Sequence, residues 1–162
     1  EIIELSGTSK GSFYHYFDGK DALLSTLSSL FDEKYEELTG LLTPEMTAME
    51  QLLFLNRELF HMIEDSISLD LLARLYSTQL TTNGEKHLLD HNRIYYKLLR
   101  KIIAKGQSEG QLSSRSNVNE MVKLYALCER ALLYDWCLCA GEYALTEYSA
   151  KVLPGFLSSF LP

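Results

Sequence analysis

The sequence predicts an all-α fold, and three observations predict it. Apolar residues recur every three or four positions over long stretches, as on the buried side of an amphipathic helix. No stretch alternates apolar and polar residues in the manner of a half-buried strand. Proline or glycine residues separate the helical stretches. A chain of 162 residues is long enough to bury a core without disulfide bonds.

The first half of the chain predicts three helices. An amphipathic pattern over residues 21–42 predicts the first, and Pro44 ends it. The second is predicted over 49–63, with Asn56 on an otherwise apolar face, and the third over about 66–80.

The second half predicts three more helices. Apolar residues along one side predict a fourth helix over about 85–105, before two glycines. Asn117 and Glu120 have the spacing of a capping box, which predicts a fifth helix running to Ala140. Thr146 is predicted to cap a last helix that Pro154 and the following glycine interrupt.

Composition limits the classes of protein. The net charge of −7 excludes a chain that is basic throughout, although a DNA-binding protein needs only a local positive surface. Charged residues interrupt the longest apolar run, and no secretory signal opens the chain, so we expect a soluble protein. Cys128, Cys137 and Cys139 match no zinc pattern and indicate reduced thiols in the cytoplasm; no flanking pattern favours a thiol sensor.

The opening stretch, SGTSKGSFYHYFDGKDAL at residues 6–23, reads as the end of one helix, a short turn and a second helix. Gly7 permits the turn, and Ser9 can cap the helix that follows. One side of that helix carries Phe13, Tyr16 and Phe17, and the other carries Gly11, Tyr14 and His15. A glycine, a ring and an imidazole on the outer face can approach a DNA groove closely.

The segment TSKGSFYHYFDGKDAL resembles the second half of the helix-turn-helix of TetR-family transcriptional regulators. Because Glu1 falls inside an apolar helical pattern, we expect the natural N-terminus to be missing. The resemblance implies a partial DNA-binding module at residues 1–20 and a TetR-like effector-binding and dimerisation domain at 21–162. It implies that these residues contact a double-stranded DNA operator: Lys10, Gly11, Ser12, Tyr14, His15, Tyr16 and Lys20. The implied function is that of a repressor released by a small hydrophobic effector.

An effector pocket is one interpretation of the polar residues on apolar helix faces. His91 and Tyr95 are predicted to share the core side of the fourth helix, and a largely apolar pocket with few polar anchors is typical of ligand sites. The candidate lining residues are Asn56, His91, Tyr95, Tyr125 and Trp136. The expected ligand is aromatic or acyl in character. The alternative is that each polar group finds a partner within a filled core.

A dimer is predicted from residues 121–140, of which sixteen of twenty are apolar. Such a helix needs cover on every side, so a second copy is expected to form a four-helix bundle with it. The candidate interface residues are Cys128, Leu132, Tyr148, Val152 and Phe156. In a dimer Glu129, Arg130 or Asp135 can pair across the interface, whereas in a monomer they are expected to face water.

Other function classes remain as alternatives. A helical protein-interaction module without DNA binding would use the opening stretch only for packing. No Ser-His-Asp set, phosphate loop or cofactor motif appears, so neither catalysis nor a cofactor is predicted. His87 and His91, with Asp90 between them, have metal-ligand spacing, but a solvated helix surface explains them better and no metal is predicted.

Overall fold

The structure is a computed structural model that describes residues 20–83 and 86–162, with side chains from residue 26 onward. The described part contains helices and no strands, which confirms the all-α prediction. Its α-helices are α1 (Lys20–Leu41), α2 (Ala48–Ser66), α3 (Leu69–Thr81), α4 (Ile94–Ser108), α5 (Val118–Leu138) and α6 (Leu145–Leu157). Short 3₁₀ helices occupy His87–Leu89 and Ser158–Phe160.

Helix α1 packs through a single apolar seam. Leu27, Phe31, Tyr35 and Leu38 follow one another at helical spacing and are all buried, while the acidic residues between them are mostly exposed. The helix ends before Pro44, as predicted. Its packing partners are α2, α3, α4 and the first 3₁₀ helix, so α1 forms one wall of the helical body.

Side-chain caps set the starts of α2 and α3. Thr47 accepts a hydrogen bond from the Glu50 amide, and the Glu50 carboxylate accepts one from the Thr47 amide at 2.7 Å, which is a complete capping box. Ser68 caps α3 by accepting from the Leu71 amide at 3.3 Å. The third helix therefore begins after Ser68, slightly later than the sequence pattern indicated.

The predicted fourth helix over 85–105 is wrong in its first part. Residues His87–Leu89 form a 3₁₀ helix, and α4 begins only at Ile94. The Asp90 carboxylate accepts a hydrogen bond from the Asn92 amide at 2.9 Å, a local bond that competes with the helical backbone pattern. The Tyr96 hydroxyl donates to the Leu88 carbonyl at 2.8 Å and holds the 3₁₀ segment against α4.

The start of α5 agrees with the prediction, whereas the start of α6 and the effect of Pro154 differ from it. Asn117 caps α5 by accepting from the Glu120 amide at 3.0 Å, as predicted. The prediction that Thr146 caps α6 is wrong, because the helix begins at Leu145 and the Glu64 carboxylate of α2 accepts from the Leu145 and Thr146 amides. Pro154 does not interrupt α6 either. It lies in the last turns, where one lost backbone bond is tolerated.

The core lies where all six α-helices of the described part meet. Helix α2 packs most extensively on α6, and α4 and α5 pack on each other and on α2 or α6. The largest side chains that are fully buried there include Phe60, Tyr96, Tyr125 and Phe160. In the part of the chain that the structure describes, no helix is long and apolar enough to cross a membrane.

Candidate ligand-binding site

The residues predicted to contact DNA fall almost entirely outside the described residues. Lys10, Gly11, Ser12, Tyr14, His15 and Tyr16 lie before the described range. Lys20 is the first residue of α1, and its side chain is not described. The predicted DNA contacts therefore stay predictions, and the geometry that follows concerns the helical body.

A buried carboxylate lies at the centre of the body. Glu129 of α5 is 4% exposed. Its carboxylate accepts hydrogen bonds from the Asn56 amide of α2 at 2.9 Å and from the Tyr95 hydroxyl of α4 at 2.6 Å. Asn56 in turn accepts from the Ser149 hydroxyl of α6 at 2.5 Å. We call these four residues the Glu129 network; it joins four helices and pairs each of its members.

Burial decides the electrostatics of this network. It raises the pKa of the Glu129 carboxyl above its ordinary value, and the hydrogen bonds from Tyr95 and Asn56 offset only part of that shift. Burial and the neighbouring carboxylate also raise the pKa of Tyr95 well above its ordinary value. Burial therefore makes the charged form of this carboxyl less favourable than it is for a glutamate in water.

A small inner cavity adjoins the network. Its volume is about 60 Å³, and its walls are mostly aromatic and aliphatic side chains from α1 to α5. Phe31 and Tyr35 come from α1, Tyr76 from α3 and Tyr95 from α4, while Glu129 supplies a polar wall. The cavity has room for a few water-sized groups only.

Helix α1 is tied to the rim of this cavity by an ion pair. Arg93, which also lines the cavity, donates from Nη2 to Asp32 at 3.0 Å and from the same nitrogen to the Ser28 carbonyl at 3.2 Å. Its side chain is only 10% exposed, so the pair is largely shielded from solvent. The pair therefore joins α1 to a residue that lines the cavity.

A larger groove lies between α3 and α5, and we call it the α3–α5 groove. Its volume is about 290 Å³, and it shares Tyr76, Leu88 and Arg130 with the inner cavity. Leu80 and Leu127 line it and are 71% and 51% exposed, which is unusual for large apolar side chains at one site. A buried amide, Gln79, also lines it.

A third, open depression lies between α2 and α6. It has a volume of about 630 Å³, with Asn56 and Ser149 among its lining residues and Glu45 and Glu50 also along it. Asn56 and Ser149 already bond within the Glu129 network. The depression is therefore concave, but these two polar residues are already engaged and are less available to a ligand.

The structure brings three of the predicted effector residues together. Asn56 and Tyr95 bond to Glu129, and the Tyr125 hydroxyl, fully buried one turn before Glu129, donates to the Leu52 carbonyl at 2.8 Å. His91 is exposed in the connection before α4, with its ring 4.7 Å from that of Tyr96. Trp136 is buried elsewhere and donates to the Tyr143 carbonyl. The assignment of these residues to an effector pocket stays a prediction.

Sequence reasoning missed Glu129, Gln79 and Arg130 as site residues. Glu129 occurs in the most apolar run of the chain, and a carboxylate in such a run signals either a buried partner or a ligand. Gln79 had no such signal, because a glutamine near a helix end is typical of a solvated surface.

The predicted interface residues divide into two groups. Cys128 and Leu132 are buried within their own chain, whereas Tyr148 is 43% exposed and Val152 and Phe156 are half-buried on α6. On α5 the exposed apolar side chains are Leu127, Tyr134 and Leu138. Large apolar side chains are therefore exposed on α5, and α6 adds exposed or half-buried ones.

The two expectations for charged residues of α5 were both incomplete. Glu129 neither pairs across an interface nor faces water, because it bonds to Asn56 and Tyr95 inside its own chain. Asp135 is exposed and accepts from the Tyr143 hydroxyl at 2.8 Å. Within the described ranges no cluster of three or more His, Cys, Asp or Glu side chains is arranged to hold a metal ion.

Two of the comparisons with known proteins found a match, one to a family and one to a solved structure. Residues 1–27 match the family model described as bacterial regulatory proteins, tetR family. The fold is similar to that of the transcriptional regulator FadR from Bacillus subtilis, solved in complex with stearoyl-CoA. The TM-score is 0.72 at 20% identity, and the match covers 98% of this chain and 86% of that one. No curated protein is significantly similar in sequence. The resemblance of the opening motif to TetR-family regulators is thus confirmed by the family model, and the helical body has a fold similar to that of this FadR.

Proposed function

We propose that the chain is a ligand-responsive, DNA-binding transcriptional regulator, in which residues 1–20 contact the operator and residues 21–162 bind the effector and dimerise. The family match over residues 1–27 carries this proposal. That match includes the opening motif and overlaps the start of α1, so the segment proposed to read DNA runs directly into a helix of the body. Such a regulator acts in the cytoplasm, where the DNA of a bacterium lies.

The position of α1 supports control by a ligand. Phe31 and Tyr35 form part of the inner cavity, and Arg93 links the cavity rim to Asp32. A ligand that enlarges the cavity would push on α1 and so on the segment before it. If the ligand binds one position of α1 more tightly than another, it shifts the protein toward that position. The affinity for DNA then changes with it. The expected sense is repression that the effector relieves.

The expected effector is hydrophobic. The inner cavity and the α3–α5 groove are both mostly apolar, with few polar groups at their walls. The similar regulator from Bacillus subtilis was solved with stearoyl-CoA, which makes long acyl compounds the first class to screen here.

A dimer is proposed to present two reading segments to one pseudo-palindromic operator. Tyr148, Val152 and Phe156 on α6 and Leu138 at the end of α5 offer apolar surface for it. Sedimentation equilibrium at micromolar concentration is expected to give twice the chain mass of 18.5 kDa. A single species at the chain mass would exclude this arrangement.

DNA binding is tested with the natural full-length protein, by selecting duplexes from a random library and measuring affinity by fluorescence anisotropy. Replacing both Tyr14 and Lys20 with alanine is expected to weaken binding at least tenfold. Loss of the Lys20 phosphate contact is expected to lower the slope of log affinity against log salt by about one. Replacing His61 and Lys97, an aromatic ring and a cation that are exposed on the body, with alanine is the matched control and is expected to change neither.

A protein-interaction module is the alternative function. If the chain has that function, selection from the random library enriches no duplex sequence. The two double variants then have the same affinity for DNA. Either result would remove the DNA-binding proposal.

A further inference from the structure

One hydrogen-bond donor in the α3–α5 groove is buried without an acceptor. Gln79 is 6% exposed, and its Oε1 accepts from the Leu88 amide at 3.0 Å, which fixes the orientation of the side-chain amide. Its Nε2 has no hydrogen-bond partner in the described part of the chain. Because an unpaired buried donor lowers stability, it marks a place where an acceptor is missing.

A cation lines the same groove. Arg130 donates from Nη1 to the Tyr96 hydroxyl at 3.2 Å, and among the described residues its guanidinium forms no ion pair. An arginine has five donors in a planar fork that suits a carboxylate. The nearby Lys86 ammonium is already engaged by the Gln79 and Thr82 carbonyls. Lys86 gives two of its three donors to those carbonyls, so most of the free donor capacity of the groove belongs to Gln79 and Arg130.

The rest of the groove suits an apolar chain. Leu80, Leu89, Leu127 and Tyr134 are between 46% and 71% exposed, although each is large and apolar. Covering them would remove apolar surface from water, which is favourable in proportion to the area covered. The groove shares Tyr76, Leu88 and Arg130 with the inner cavity, so a ligand here contacts residues that also line the cavity beside α1.

We propose that the α3–α5 groove binds an amphipathic anion, a hydrophobic chain that ends in a carboxylate. One carboxylate oxygen accepts from Gln79 Nε2, Arg130 balances the charge, and the chain lies across the exposed leucines. The proposal rests on the proposed ligand response and assigns its polar anchor; it does not require that the ligand control DNA binding.

Two other occupants fit the groove less well. A lipophilic cation would be attracted to Glu129, but both oxygens of that carboxylate already accept hydrogen bonds and Arg130 lines the same cavity. A second copy of the chain could cover Leu127 and Tyr134, yet it would have to bring an acceptor to an amide that is 6% exposed. A small carboxylate reaches such a position more readily than a folded surface.

Isothermal titration calorimetry of the full chain, without DNA, tests the proposal with three matched probes below their micelle concentrations: laurate, dodecan-1-ol and dodecylamine. Laurate is expected to bind at least tenfold more tightly than the other two, since only it supplies both an acceptor and a negative charge. Preference for dodecylamine, or equal affinity for all three probes, would overturn the proposal.

Three variants locate the site. Gln79→Glu keeps the Oε1 acceptor for Leu88 but replaces the free donor with a negative oxygen, so laurate affinity is expected to fall at least tenfold and dodecylamine affinity to rise. Arg130→Met is expected to lower laurate affinity at least tenfold and leave dodecan-1-ol affinity unchanged. Lys101→Met, which removes one charge from the exposed side of α4, is the control and is expected to bind laurate as the parent does. Circular dichroism melting confirms that each variant is folded.

If Gln79→Glu and Arg130→Met both bind laurate as tightly as the parent does, the ligand binds elsewhere and the proposed site is refuted. Failure of laurate to bind, together with a shift of the monomer–dimer equilibrium in the groove variants, would assign the groove to a second copy instead. Laurate binding that depends on Gln79 and Arg130 but releases no DNA would keep this site and refute ligand control, so the two proposals can fail separately.

Discussion

The Glu129 network and the α3–α5 groove contain similar buried polar groups, but those of the network all have hydrogen-bond partners and one in the groove does not. In the network a buried carboxylate, an amide and two hydroxyls bond to one another and leave no member unpaired. In the groove a buried amide has one unpaired donor beside exposed leucines. A satisfied buried polar cluster fixes the packing of helices, whereas an unsatisfied one beside exposed apolar surface indicates a missing partner. The difference separates a structural site from a candidate binding site within one small body.

Within the Glu129 network the largest expected effect is that of Asn56→Leu. This change removes the donor to Glu129 and the acceptor for Ser149 at once, leaving two buried groups short of a partner. We expect the free energy of unfolding to fall by about 3 kcal/mol, since each unpaired buried group costs about 1–3 kcal/mol. Urea denaturation measures it, with Ser149→Ala as a milder control. A loss below about 1 kcal/mol would show that the network is not structural.

A smaller effect is expected for Glu129→Gln, and it depends on pH. Burial raises the pKa of the Glu129 carboxyl, so the folded state holds this proton more tightly than the unfolded state. Its contribution to stability is therefore fully present below the ordinary carboxyl pKa and is lost as pH rises through the raised value. A glutamine imitates the protonated form at every pH.

The stability of the Gln variant relative to the parent is expected to increase from pH 4 to pH 8, as measured by urea denaturation at each pH. A pH-independent difference between the two proteins would contradict the assigned direction of the pKa shift.

The smallest expected effect lies in the groove. Leu80→Ser changes a side chain that is 71% exposed, so we expect the free energy of unfolding to change by no more than about 0.5 kcal/mol. Leu75→Ala, on the same helix but 1% exposed, is the matched comparison and is expected to cost about 2–5 kcal/mol. Equal losses in thermal or urea unfolding would mean that Leu80 has a structural role.

Helix periodicity predicted the fold because most helices here are amphipathic and their stop signals are local. Thr47 with Glu50 and Asn117 with Glu120 form caps between residues three apart, which a sequence displays directly. The start of α6 was predicted wrongly because its cap, Glu64, comes from another helix far away in the chain. Periodicity carries no information on a partner of that kind.

The candidate sites were predictable only in part, for the same reason. Asn56 and Tyr95 stood out as polar residues on apolar faces, but their common partner Glu129 becomes evident only when α2, α4 and α5 are brought together. The free donor of Gln79 depends on the position of the Leu88 amide across a connection between helices. No local sequence pattern indicates whether the Oε1 or the Nε2 atom of a glutamine lacks a hydrogen-bond partner.

Release of DNA by laurate connects the groove to DNA binding most directly. It is measured in the natural full-length protein by the fluorescence anisotropy of a labelled duplex that this protein has selected. Laurate is expected to release the duplex from the parent chain and from Lys101→Met, and at least tenfold more laurate is expected to be needed for Gln79→Glu. Release at the same laurate concentration from all three proteins, or no selective duplex at all, would contradict the account.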